Sequence, residues 1–108
     1  MSASTSPKVT IGPGVQEFLQ KKDAQAAFQT VCEIVGESFP QTLAIEARLE
    51  EDHDEAGWWR VVVGVTLPES IPADVWIDQH RRYSVLRADR VPSPQDMLFA
   101  TDFEYQPG

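Results

Sequence analysis

The densest stretch of chemistry-bearing side chains runs from Glu46 to Glu55. It holds Glu46, Glu50, Glu51, Asp52, Asp54 and Glu55, six of the chain's seventeen acidic residues. Carboxylates at alternating positions can wrap a hard cation, and Asp52-His53-Asp54-Glu55-Ala56-Gly57 imitates the opening of a calcium loop. Such a loop needs oxygen ligands at its first, third and fifth positions, glycine at the sixth and a bidentate glutamate at the twelfth. Counted from Asp52, Ala56 stands fifth and Val63 twelfth. The stretch therefore reads as a solvated hairpin tip, and no metal is expected.

The nucleophiles and bases are as sparse. His53 and His80 are the only histidines, and neither has a second histidine three or four residues away, so the helical zinc signature is missing. Cys32 is the only cysteine, which excludes an intramolecular disulfide and a thiolate metal cage. It falls in an apolar stripe as a small hydrophobe, whereas a nucleophilic cysteine needs an exposed, electropositive setting. A Cys32–His80 dyad would require two helices to meet across the same sheet. Gly12-Pro13-Gly14 reads as lacking the preceding strand and the lysine of a phosphate loop. No cofactor and no catalytic residue is expected.

These residues must be carried by one small domain. The chain has 108 residues, 42% hydrophobic and 24% charged, the composition of a globular protein. Nine basic residues against seventeen acidic ones leave a net charge of −8, a field that repels phosphate backbones and anionic lipid. No nucleic-acid or membrane role is expected. The start of the chain lacks the apolar core of a secretory signal, and a cytoplasmic location is the expectation.

Residues 1–12, rich in Ser, Thr, Pro and Gly, read as a flexible N-terminal segment, and 13–106 as a single domain. A helical region follows to about Gly36, with a bend at Lys21-Lys22-Asp23. Its stripe is Ala24, Ala27, Phe28, Val31, Cys32 and Val35, three and four apart. Thr42 to Glu50 alternates as a half-buried strand, and Trp58 to Leu67 alternates as a second, the more apolar of the two, which reads as central-leaning or as meeting another molecule on its outer face. Pro72 opens a second helix, and Asp96 to Tyr105 forms the last strand. The order α-β-β-α-β predicts an α+β domain with a three-stranded mixed sheet, order 2-1-3, and two helices on one face. Leu43, Ile45, Leu49, Val61, Val63, Val65, Phe99 and Phe103 form the predicted core.

In that arrangement the second strand is an edge, exposing Trp58 and Val62, the kind of surface a small domain buries in a dimer. Arg81, Arg82, Arg87 and Arg90 lie outward on the second helix as a basic patch in an acidic chain. Trp58, Val62, Arg81 and Arg82 are thus the candidate interface. Trp76, His80 and Tyr83, on one helix face, are the candidate pocket.

The succession Leu43-Ala44-Ile45-Glu46-Ala47-Arg48-Leu49, acidic turn, Trp59-Arg60-Val61-Val62-Val63, a helix with Asp78 and Tyr83, a Val-Pro turn and Leu98-Phe99-Ala100-Thr101-Asp102-Phe103 resembles a group of small uncharacterised bacterial proteins. The likeness spans residues 24–104. It implies a companion of a partner protein and gives no residue a role. The sequence thus points to a non-enzymatic interaction domain, acting as a homodimer or as an acidic partner. The alternative is a small enzyme or ligand-binding domain built on Trp76, His80 and Tyr83.

Overall fold

Period-2 alternation and 3.6-residue stripes organise most of the chain. In the computed structural model, which describes residues 8–107, the elements are β1 (Lys8–Ile11), α1 (Val15–Lys21), α2 (Gln25–Ser38), β2 (Ala44–Glu51), β3 (Trp59–Pro68), α3 (Ala73–Arg90), a 3-10 turn (Gln95–Leu98) and β4 (Phe99–Gln106). The strands form one mixed sheet in the order β1-β2-β3-β4. β1 runs parallel to β2, β2 antiparallel to β3, and β4 parallel to β3.

This corrects the three-stranded, two-helix expectation in three places. Lys8–Ile11 is a strand, registered against Ala44–Ala47; residues 1–7 of the expected flexible segment lie outside the described residues. The bend at Lys22 and Asp23 separates two helices, with Asp23 at φ 53°, so the described residues hold three α-helices. The last strand pairs with β3, in register from Val61–Phe99 to Pro68–Gln106, and not with β2. The strand 2-1-3 order would have left the most apolar strand at an edge. Instead β3 is central, with Val61, Val63, Val65 and Leu67 fully buried on one face and Val62 only 7% exposed on the other.

All three helices pack on the face bearing the odd-numbered residues, where Leu19, Phe28, Val31, Ile34 and Phe39 close over β2 and β3. Both parallel connections step the same way across the sheet, but β1–β2 points opposite to β3–β4. With helices on one face only, the two crossovers have opposite hands. One of them departs from the right-handed rule that about 98% of such units follow. Among the predicted core residues, Leu43 is the exception: it precedes β2 and is 47% exposed.

The acidic turn works for the hairpin. Asp52 Oδ1 accepts from the amides of Asp54 (2.7 Å) and Glu55 (3.3 Å), and Glu51 Oε2 accepts from the amide of Gly57 (2.8 Å). Gly57 takes φ 86°, a conformation other residues adopt at a cost. The amide bonds hold the Asp52 carboxyl below its ordinary pKa, aided by Arg60.

A candidate interaction surface on the last helix and strand

α3 is an 18-residue helix gripped on two sides. Towards α2, Gln79 Nε2 donates to Gln41 Oε1 (2.8 Å) and Arg90 pairs with Glu37. Towards the sheet, Tyr83 bonds Thr101, and Arg87 reaches Asp96 Oδ1 (2.7 Å), Thr101 Oγ1 (3.0 Å) and the Phe99 carbonyl. At 100° per residue, Ile77 and Ser84 project about a quarter turn beyond this sheet-facing side, away from α2. That flank stands beside the outer edge of β4.

The predicted pocket residues come together, but as a packed aromatic cluster. The His80 ring is tilted against Trp76, 4.2 Å away, and meets Phe103 and Phe39 edge-on at 4.4 and 5.0 Å between ring centroids. Tyr83 is buried against Phe39 and Phe103, and Trp76 Nε1 donates to the Tyr105 hydroxyl. Burial lowers the pKa of His80, and its Nε2 has no hydrogen-bond partner. The outer rims of Trp76 and His80, with Ile77, Arg81, Ser84 and Val85, line a shallow, apolar groove of about 480 Å³. Ile77 is 43% and Val85 66% exposed.

The predicted interface residues fall in separate places. Trp58 ends the acidic turn, where its carbonyl accepts from the Asp52 amide (2.7 Å), and it is 39% exposed. Val62 is buried at the centre of the helix-free face. Arg81 and Arg82 are exposed on α3, Arg81 lying 4.0 Å from Asp78 and on the rim of the groove. Arg87, read from the sequence as part of the outward basic patch, is instead half-buried between α3, the 3-10 turn and β4. Trp59, 42% exposed, lines a second hollow with Phe18 and Leu49 beside α1.

Sequence reasoning missed two further features. Ile77, Arg81 and Val85 recur every four residues, a second stripe on a helix whose first stripe already accounts for its packing. The helix-free face carries Glu46, Arg48, Glu50, Asp102 and Glu104. There Arg48 lies over the sheet, 3.2 Å from Asp102 and in contact with Glu50. Gly64 makes room for it, since a Cβ there would stand 3.3 Å from Arg48 Nη1. Alternation already sets Asp102 and Glu104 opposite the odd-numbered, helix-covered face; the Arg48 contact across β3 is what the sequence did not show.

The other chemistry-bearing groups stay apart from these surfaces. Burial and the neighbouring Glu33 push the Cys32 thiol up to about 11. Gly12-Pro13-Gly14 does follow a strand and open a helix, contrary to the sequence reading. Its backbone is engaged internally, Gly12 N donating to Ala47 O (2.8 Å) and Gly14 O accepting from Phe18 N (3.0 Å). Among the described residues no three His, Cys, Asp or Glu side chains gather as metal ligands, and no helix is long and apolar enough to cross a membrane.

Comparison with known proteins returns no match: no family model fits the chain, and no curated protein or solved structure is significantly similar to it.

Proposed function

We propose that this chain is a non-enzymatic interaction domain whose docking surface is the flank made by α3 and the free edge of β4. The observation that carries the reading is the exposed apolar groove of Ile77, Val85 and the rims of Trp76 and His80. It lies beside a strand paired on one side only among the described residues. Apolar groups beside unpaired backbone are a common footing for protein contacts. The ligand-pocket reading is weaker, because the inner faces of Trp76, His80 and Tyr83 are taken up by Phe39, Phe103 and one another.

The test compares immobilised wild type with Ile77→Asp and Val85→Asp in extracts of cells that make the protein. Both side chains are exposed, so the variants are expected to melt like wild type. A protein retained by wild type and lost with both variants supports the reading. Equal retention by all three removes the flank as the docking surface.

A homodimer is the second reading, favoured by exposed Trp58 and Trp59 at the hairpin end and the hollow beside Phe18 and Leu49. Light scattering at micromolar concentration is expected to give twice the chain mass, and Trp58→Glu to return the mass to one chain. A single-chain mass for wild type removes this reading and leaves a heterologous partner in place.

A further inference from the structure

We infer that the β4 edge takes up an extended segment of another protein, added as a fifth strand, whose alternate residues are lysine or arginine. The inference rests on the flank being a docking surface and goes further by naming what docks. β4 is eight residues long, Phe99–Gln106, with β3 as its one strand partner among the described residues; alternate residues turn their amide and carbonyl to the outer edge, and the Phe99 carbonyl is already taken by Arg87. An added strand would form a ladder with those groups, and its side chains would alternate between the two faces.

The two faces select different chemistry. On the helix-free side, β4 presents Asp102 and Glu104, both exposed, and Glu46 and Glu50 lie further across the same face. Among the described residues Arg48 is the one cation in contact with Asp102. Side chains directly opposite across a ladder interact, and opposite charges there are favourable. An incoming strand that places cations on this side is therefore matched. On the helix side, Tyr105 is exposed and the flank of α3 presents Ile77 and the apolar groove, which suits apolar residues at the intervening positions.

The same charges argue against a second copy of this chain on the edge. Antiparallel pairing of β4 with itself would bring the Asp102 and Glu104 carboxylates of both copies together, and like charges across a ladder are unfavourable. It would also join two bodies of net charge −8. Charged side chains on an edge strand are a known guard against self-pairing. Here it blocks one partner and admits its opposite.

The test uses a synthetic peptide matched to the eight residues of β4, alternating lysine and valine, with blocked ends. Controls are the same peptide with glutamate for lysine, and one N-methylated at alternate backbone nitrogens so that it cannot complete a ladder. Binding is followed by calorimetry and by amide exchange of the protein. The lysine peptide is expected to bind and to slow exchange of β4 amides, while both controls fail. Asp102→Asn with Glu104→Gln is expected to weaken binding about fivefold, the sum of two exposed ion pairs.

Equal binding of the N-methylated peptide, equal binding of the glutamate peptide, protection away from β4, or no binding each overturns the inference. So does self-association of the protein through β4. Loss of a cellular partner on Ile77→Asp together with failure of the lysine peptide leaves the docking flank standing and removes the strand. Binding of the peptide with cellular retention indifferent to Ile77→Asp does the reverse.

Discussion

The guanidinium of Arg87 donates to five oxygens: both the side chain and the carbonyl of Asp96, the hydroxyls of Tyr83 and Thr101, and the carbonyl of Phe99. It joins α3, the 3-10 turn and the start of β4. Arg87→Leu would leave these acceptors without their donor in a half-buried setting. The expected loss is about 3 kcal/mol in urea unfolding. Arg87→Lys is expected to recover only part of it, since an ammonium cannot reproduce the planar fork. His80 makes the opposite kind of contribution. Burial lowers its pKa below the ordinary 6.5, so the unfolded chain binds the proton first as acid is added. Its contribution is whole above pH 6.5 and declines as the pH falls through the lower folded value. His80→Phe is expected to lose less of its urea midpoint than wild type between about pH 7.5 and about pH 5.

At the scale of elements, β3 carries the core. Val63 is fully buried between β2 and β4, and Val63→Ala is expected to cost about 2 kcal/mol by lost burial and the cavity left behind. Urea titration with an unchanged slope is the check. β2, β3 and α3 were legible because alternation and helical stripes act locally along ten residues or more. The sheet order was not. It depends on what flanks β3: Trp58 and Val62 fit a central strand as well as an outward patch, and the expected crossover places the last strand beside β2, leaving β3 at the edge. β1 escaped notice because four residues between Pro7 and Gly12 give too short an alternation, and its strand character comes from pairing with β2. On α3, Arg81 and Arg82 were legible as exposed charge. The groove was not, because Ile77 and Val85 become a surface only once Tyr83 and Arg87 fix which side meets the sheet.

At the scale of the whole molecule, the net charge of −8 separates the two assembly readings. Two identical copies repel, so added salt is expected to strengthen a homodimer by screening. A cationic partner is attracted, so salt is expected to weaken its complex. Titrating salt in light scattering and in the peptide experiment reads both slopes. The sheet order has a mechanical consequence as well. Lys8 at the start of β1 and Glu104 near the end of β4 belong to one row across the sheet, through Ala44 and Thr66. Tension applied at Lys8 and Gln106 therefore pulls the two outer strands apart sideways from the same end. Their bonds open one after another like a zip, instead of resisting together in shear. In an optical trap the fold is expected to give way at low force when held at those two points. Held along the length of β3, it is expected to yield only at higher force.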